Sequence, residues 1–129
     1  MENELQIRKL VENWAQAVRA RDLDAIMAHH HENIVMYDVP PPFESVGIDA
    51  YRKSWDLFYS CEQEKDGFQI IDLHVTAGEE VAFCYAQMKC IYFEQGGQKV
   101  DLDFRLTTGF QKIDGQWWFM HEHHSVPAT

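Results

Sequence analysis

The chain has 129 residues, a typical length for one domain, and its 46% hydrophobic and 13% aromatic content is enough for a sizeable core. Its formal net charge is −10, with 21 acidic against 11 basic residues. This balance argues against a nucleic-acid partner and against an anionic membrane surface, because both attract clustered Lys and Arg. No apolar run approaches the roughly 20 residues that span a bilayer. We therefore expect a single domain over residues 1–129, with no nucleic-acid and no membrane partner.

The cysteines favour a reducing compartment. Cys61, Cys84 and Cys90 include no Cys-x-x-Cys pair, and an odd number suits no complete disulfide set. The residues after Met1 are acidic and polar, unlike the basic and apolar regions of a secretory signal. Reduced, buried thiols in a cytoplasmic protein are the simplest interpretation.

Helical patterns fill the N-terminal part of the chain. Apolar residues over 2–20 recur at spacings of four, three and four, which predicts an amphipathic helix. Asp22 has the position of an N-cap for a short second helix over 23–30. A third helix is predicted over 48–60. The apolar faces of the first and third helices carry Ile7, Val11, Trp14 and Val18, and Tyr51, Trp55 and Phe58.

Three consecutive histidines, His29 to His31, lie at the end of the second predicted helix. Consecutive residues of a helix point in directions about 100° apart, so these side chains would not converge on one metal ion. A histidine near a helix C-terminus is also a favourable partner of the helix dipole. We therefore predict no metal site there.

Strand patterns follow. One strand is predicted over 34–39, ended by Pro40–Pro42, and four more over 68–76, 81–94, 99–111 and 116–125. The strand over 81–94 is apolar on both faces, which predicts helices on one side and another apolar partner on the other. The order of elements predicts an α+β fold, with three N-terminal helices packed against one face of a curved, mostly antiparallel sheet.

The last strand becomes ionisable toward its end. Side chains alternate across a strand, and strict alternation places two sets of residues on opposite faces. One set runs from apolar to titratable and indicates the wall of a pocket, while the other points away from it. The sets are Trp117, Phe119, His121, His123 and Ser125, and Trp118, Met120, Glu122 and His124.

The candidate catalytic residues are Asp38, His121 and His123. Asp38 follows an apolar strand and precedes a rigid proline loop. If Arg105 and Thr107 share the face of the two histidines, Arg105 would bind a carboxylate or enolate through two hydrogen bonds. A histidine would act as general acid or base. This set favours proton abstraction beside a carbonyl, or an isomerisation, cyclisation, hydration or dehydration. The predicted apolar wall consists of Trp14, Tyr37, Trp55 and Phe58.

Other interpretations of these residues stay open. Asp38 and Arg105 could form a structural ion pair, and the two histidines could simply be hydrogen-bonded near the end of the sheet. His121, His123 and Asp38 could also form a two-histidine, one-carboxylate metal set. The sequence fixes no third ligand, so we predict neither a metal nor a cofactor.

Several motifs together resemble the NTF2-like superfamily, in its SnoaL-like or ketosteroid-isomerase-like branch. The resemblance implies a cone in which the curved sheet wraps a pocket and the helices close its narrow end. It also implies a homodimer through the convex sheet face. The terminal motif is similar to the end of the association domain of calmodulin-dependent protein kinase. The motifs lie at residues 14–22, at Tyr37-Asp38 with the proline loop and Gly47, at Arg105-Leu106-Thr107, and at 114–117 leading into 121–127.

The resemblance also bears on activity. Asp38 falls where ketosteroid isomerases carry their catalytic aspartate, whereas Trp14 and Leu106 fall where those enzymes carry a tyrosine and a second aspartate. These departures argue against steroid isomerisation itself. The resemblance implies a small-molecule pocket protein, an isomerase, cyclase or dehydratase with Asp38 or a histidine as general base. The alternative is a non-catalytic ligand-binding or oligomerisation domain.

Overall fold

The structure, a computed structural model, describes residues 2–128. Its six strands form one curved sheet in the order β2-β1-β6-β5-β4-β3. Neighbouring strands are antiparallel except β1 and β6, which are parallel. The predicted α+β class is confirmed. The elements are α1 (Glu2–Ala20), α2 (Leu23–Met27), β1 (His30–Tyr37), β2 (Ser45–Val46), α3 (Ile48–Phe58), β3 (Glu62–Ala77), β4 (Val81–Phe93), β5 (Lys99–Ile113) and β6 (Gln116–Ser125).

α1 packs into the core through the apolar stripe that its sequence predicts. Its buried residues include Ile7, Val11, Trp14 and Val18, and they join one apolar cluster with the inner face of the sheet. The Asp22 carboxylate accepts a hydrogen bond from the backbone N–H of Ala25 at 3.2 Å, so the predicted N-cap of α2 is confirmed.

The histidine run does not end a helix, and that prediction is wrong. α2 stops at Met27, and β1 begins at His30 rather than at residue 34. His29 has a φ of 61°, outside the right-handed helical region, so the chain turns there. Pairing with β6 decides this, because His30 lies opposite Phe119 and its ring stacks on that of Phe119 with centroids 4.0 Å apart. His30 is consequently buried in the core.

β4 has two apolar faces, as its sequence predicts. Its inner face contributes Ala82, Cys84, Ala86 and Met88 to the core. The outer face of the sheet is open, and Val81, Phe83 and Tyr85 are 64%, 48% and 52% exposed.

A β-bulge in β6 changes which side chains point into the protein. Phe119 pairs with Phe110, but His121 pairs with Gly109, so β6 takes two steps where β5 takes one and Met120 is the extra residue. Trp117 and Phe119 point inward as predicted, and after the bulge Glu122 and His124 point inward too. The predicted single face running from Trp117 to Ser125 is therefore wrong beyond Phe119.

Candidate functional site

A cavity of about 380 Å³ opens between α3, the segment that follows β1 and the inner faces of β3 to β6. This volume lies in the range of small-molecule sites. Most of the lining is apolar and much of it is aromatic, while Asp38 and His124 bring ionisable groups to one part of the wall. The lining residues are Asp38, Val39, Pro40, Ser54, Trp55, Leu57, Phe58, Ser60, Cys61, Gln63, Phe68, Cys90, Tyr92, Leu102, Phe104 and His124.

His124 lies between two carboxylates. Its Nε2 is 2.8 Å from Oε2 of Glu122, and its Nδ1 is 3.3 Å from Oδ1 of Asp38. Carboxylate oxygens accept hydrogen bonds and donate none, so both ring nitrogens must carry a hydrogen and the ring is an imidazolium. The side chain of Glu122 is 1% exposed and that of Asp38 is 23% exposed. The charged row formed by Glu122, His124 and Asp38 therefore runs from the core to the cavity.

The pKa values follow from this arrangement. Burial alone would lower the pKa of His124, but the hydrogen bonds and charges of Asp38 and Glu122 outweigh it and raise the pKa to about 10. Burial alone would raise the pKa of Glu122, but His124 and His30 outweigh it and lower the pKa to about 2. Glu122 and His124 are thus a charged pair at neutral pH.

The Tyr51 hydroxyl joins three buried groups behind this pair. It donates a hydrogen bond to Oε1 of Glu122 at 2.9 Å and accepts one from Nε1 of Trp14 at 3.1 Å. Nε2 of His30 lies 3.1 Å from the same hydroxyl, and Nδ1 of His30 lies 2.9 Å from the carbonyl oxygen of Ala28. Burial and the nearby Glu122 charge raise the pKa of Tyr51 well above its usual value. Since each of these polar groups has a partner, the network can remain buried without a large desolvation cost.

Three of the predicted site residues reach the cavity. Asp38 is at its polar part, and Trp55 and Phe58 form part of its aromatic wall. Trp14 is buried behind the wall and donates to Tyr51 instead of lining the cavity. Trp55 Nε1 is buried and makes no hydrogen bond within residues 2–128.

The other predicted site residues lie on the outer face of the sheet, and their expected position in the pocket is wrong. Arg105 and Thr107 do share a face with His123, since Thr107 pairs with His123 and Arg105 donates to the Ser125 hydroxyl at 3.1 Å. That face is the exposed one, and none of these side chains lines the cavity. The remaining two, Tyr37 and His121, meet on the same side with ring centroids 4.9 Å apart.

The bulge is the physical reason why His121 and His123 point outward, and it explains why the sequence did not reveal Glu122 and His124 as site residues. Strict alternation assigned Glu122 and His124 to the far face, and the predicted bounds of the second helix included His30. One signal was present, because Gly109 lies inside β5, and an isolated glycine in a strand often marks a bulge in the pairing. Gly109 lies opposite His121 at the bulge in β6.

The geometry does not support a metal site formed by His121, His123 and Asp38. Within residues 2–128, no group of three or more His, Cys, Asp or Glu side chains is arranged to hold a metal ion. Asp38 meets His124 rather than His121 and His123.

The chemistry available in the cavity is proton transfer at a carboxylate. Asp38 is half-buried, its Oδ1 accepts from the Val39 backbone N–H at 2.8 Å, and no hydrogen bond engages its Oδ2 within the described chain. Burial raises the pKa of Cys90 to about 12, so its thiol is not a thiolate nucleophile at neutral pH. A free carboxylate oxygen in an aromatic cavity can accept a proton or a hydrogen bond from a ligand.

These features define a class of protein: a conical α+β domain with a small-molecule-sized cavity and an ionisable group at its wall. No helix in the described part of the chain is long and apolar enough to cross a membrane. The family model described as the SnoaL-like domain matches residues 7–129. The chain belongs to the SnoaL-like family, within the NTF2-like superfamily.

Solved structures agree with this assignment. An NTF2-like protein of unknown function from Pseudomonas putida is 29% identical, with a TM-score of 0.83 over 98% of this chain and 87% of that one. A Streptomyces avermitilis NTF2-like protein, whose assignment as a dehydratase is itself unproven, is 13% identical, with a TM-score of 0.82 over 100% of both chains. The association domain of CaMKII from C. elegans is 16% identical, with a TM-score of 0.72 over 97% of this chain and 96% of that one. A search of curated proteins finds no match.

Proposed function

We propose that this protein is an acid–base enzyme that acts on a small, mostly apolar carbonyl compound bound in the cavity, with Asp38 as the general base. One observation carries the proposal: a carboxylate with a free oxygen lies at the wall of an otherwise largely apolar cavity. A base in such a place meets its substrate away from bulk water, which strengthens electrostatic interactions with the reacting atoms.

The step is a proton transfer. Oδ2 of Asp38 takes a proton from the carbon beside the carbonyl group, and the electron pair of the broken C–H bond forms an enolate. Where the substrate has a β,γ double bond, the enolate is a dienolate, and return of the proton to the γ-carbon completes an isomerisation to the conjugated carbonyl compound. In a dehydration, the enolate reforms the carbonyl and a carbon–carbon double bond while a β-hydroxyl leaves, and Asp38 returns its proton to that hydroxyl to give water.

Neighbouring groups support this role. His124 lies 3.3 Å from Oδ1 and fixes the carboxylate on one side, so that Oδ2 is left for the substrate. The Tyr92 hydroxyl, on the same cavity wall, has no hydrogen-bond partner within residues 2–128 and is available to an enolate oxygen. The likeness to the Streptomyces protein agrees with a dehydratase-type reaction, although identity of 13% supports the fold alone.

Hydrogen–deuterium exchange tests the proposal without knowledge of the natural substrate. Bicyclic ketones such as 2-tetralone are incubated with the protein in heavy water, and NMR follows exchange at the carbon beside the carbonyl. We expect Asp38→Asn to lower the enzyme-dependent exchange rate by about a hundredfold or more, as is typical for loss of a general base. Asp56→Asn removes the same charge from an exposed site on α3 outside the cavity and should exchange like the wild type.

Equal exchange by the Asp38→Asn variant would rule out Asp38 as the base. Absence of exchange by the wild type across a panel of such ketones would favour a protein that binds a ligand without turnover.

We also propose that the chain forms a homodimer through the outer, convex face of the sheet. The exposed residues Val81, Phe83 and Tyr85 form an apolar row there, and such a face favours burial against a second copy. The likeness to a CaMKII association domain agrees with self-assembly. A cytoplasmic location belongs to the same proposal and is supported by the free thiols of Cys61, Cys84 and Cys90.

Light scattering after size-exclusion chromatography tests the dimer. We expect the wild type to elute as a dimer and Phe83→Glu to elute as a monomer, because the new charge cannot be buried unpaired. Val39→Glu alters an equally exposed apolar residue at the cavity instead of the sheet face and should remain dimeric. A monomeric wild type would exclude this interface.

A further inference from the structure

We infer that the cavity selects ligands whose polar end donates a hydrogen bond, a hydroxyl or a protonated amine, and rejects those that end in a carboxylate. This inference deepens the proposed function and rests on it, since it takes Asp38 as the group that meets the ligand. It contradicts the expectation from the sequence that Arg105 would bind an anionic group in the pocket.

Most polar donors of the cavity wall are already used inside the protein. Both ring nitrogens of His124 face carboxylates. The hydroxyls of Ser54 and Ser60 donate to the carbonyl oxygens of Tyr51 and Leu57. The side-chain amide of Gln63 donates to the carbonyl oxygens of Phe58 and Cys61.

The charged atom left free for a ligand is therefore an acceptor. Oδ2 of Asp38 makes no hydrogen bond within the described chain, and no Lys or Arg of that chain lines the cavity. Arg105 is exposed on the opposite face of the sheet. A carboxylate placed beside Asp38 would lose its water and gain a like-charge neighbour without a free cation to compensate.

The remaining free donors do not change this conclusion. The hydroxyl of Tyr92, the thiol of Cys61 and the buried Nε1 of Trp55 are not cationic groups, and none has a hydrogen-bond acceptor for its own hydrogen within residues 2–128. Neutral donors of this kind suit a carbonyl oxygen elsewhere on the ligand. Burial and nearby charge raise the pKa of Tyr92, so its hydroxyl keeps its proton at neutral pH.

The aromatic wall is compatible with both kinds of donor. Trp55, Phe58, Phe68 and Phe104 line the cavity, and their ring contacts are mostly edge-to-face, with centroids between 5.2 and 6.3 Å for the three pairs around Trp55 and Phe58. Flat, bicyclic ligand bodies pack well against such rings. Ring faces also attract cations, so an ammonium group is tolerated where a carboxylate is not.

The experiment uses three probes that share one ring system: 2-naphthalenemethanol, 2-naphthylmethylamine and 2-naphthoate. Isothermal titration calorimetry at neutral pH gives the dissociation constant of each for the wild-type protein. We expect the alcohol, the amine or both to bind at least about tenfold more tightly than the carboxylate, the lower end of what a hydrogen bond to a charged group contributes.

Variants assign the selectivity to Asp38. In Asp38→Asn the preference for the donor probes over 2-naphthoate should fall to within about threefold, since the amide keeps the shape and loses the charge. Asp38→Ser, which retains a group able to accept from the Val39 N–H, is a second variant in case the first is poorly folded. Asp56→Asn makes the same change in net charge outside the cavity and should keep the wild-type preference.

Three results would overturn the inference: tighter or equal binding of 2-naphthoate by the wild type, no measurable binding of any probe, or an unchanged preference in a folded Asp38 variant. Binding is measured without turnover, so these results are separate from the exchange assay. Selectivity for hydrogen-bond donors without hydrogen–deuterium exchange would support the ligand class and refute the catalytic proposal. Hydrogen–deuterium exchange without this selectivity would support the catalytic proposal and refute the ligand class.

Discussion

Glu122→Gln tests the network that holds His124 between two carboxylates. The substitution preserves the shape of the side chain and removes its charge, so that Asp38 is the one carboxylate left beside the imidazole ring. The Tyr51 hydroxyl, 2.9 Å from Oε1 in the wild type, can still donate to the amide oxygen. The change therefore acts mainly on the buried charge, and we expect it to destabilise the fold.

The pKa of Glu122 gives the magnitude. Burial opposes ionisation, but His124 and His30 overcome it and bring the pKa from 4.5 to about 2. A shift of this size is worth roughly 3 kcal/mol of stability where the carboxylate is ionised in both states, at about 1.4 kcal/mol per pKa unit. Removing one partner of a buried pair costs about 3 to 5 kcal/mol. We expect Glu122→Gln to lower the free energy of unfolding by about 3 kcal/mol near pH 6.

The sign of the pH dependence follows for each group. Stabilisation by Glu122 is present above its unfolded pKa of 4.5 and is lost as the pH falls through about 2, so roughly 1 kcal/mol remains near pH 3. Stabilisation by His124 is complete below its unfolded pKa of 6.5 and is lost as the pH rises through about 10. The difference between wild type and Glu122→Gln should therefore be largest between these two unfolded values and should shrink toward acid.

Urea unfolding followed by tryptophan fluorescence at several pH values measures this difference, because the core contains Trp14, Trp55 and Trp117. Glu44→Gln, in the exposed loop before β2, is the charge-matched control and should change stability by less than about 0.5 kcal/mol. The reasoning fails if Glu122→Gln costs less than about 1 kcal/mol near pH 6, or if its cost is the same near pH 3.

Two further predictions concern the same network and the outer face. Tyr51→Phe should destabilise the fold by about 1 to 3 kcal/mol, because Trp14, His30 and Glu122 each lose a buried partner. Urea unfolding measures this loss, with Tyr85→Phe on the exposed face as the control. A loss of stability as small as that of the control would contradict the prediction. Arg105→Ala should change neither stability by more than about 0.5 kcal/mol nor binding of 2-naphthoate, because the exposed Arg105 lies on the opposite face of the sheet from the cavity. Calorimetry measures the binding, and weaker binding of 2-naphthoate by the variant would contradict this placement of Arg105.

The patterns of local sequence predicted the fold well. The stripe through Ile7, Val11 and Trp14, the cap at Asp22 and the two apolar faces of β4 depend on periodicity and capping, which act within a few residues. The predicted end of α2 and start of β1 were wrong. Parallel pairing with a strand far along the chain, and not local preference, determines where β1 begins.

The candidate site was predicted less completely for a related reason. Asp38 reaches the cavity directly after the end of β1, and Trp55 and Phe58 reach it from the apolar face of α3 that their spacing predicts. His121 and His123 point outward and His124 points inward, the reverse of the prediction. One extra residue in β6 reverses the alternation on which their assignment was based. Alternation placed Glu122 on the outer face as well, and a buried carboxylate is rare unless partners surround it, here Tyr51 from the distant α3 and His124 two residues further along β6.

The bulge at Met120 gives β6 an unusual evolutionary property. The segment that follows it carries ionisable side chains in both phases, so the same residues paired without the bulge, with Met120 opposite Gly109, would turn His121 and His123 toward the core and Glu122 and His124 toward solvent. A change in strand pairing, rather than a series of substitutions, is enough to exchange the ionisable side chains that β6 turns inward. Relatives whose last two strands pair without this bulge would then present different chemistry from nearly the same terminal sequence.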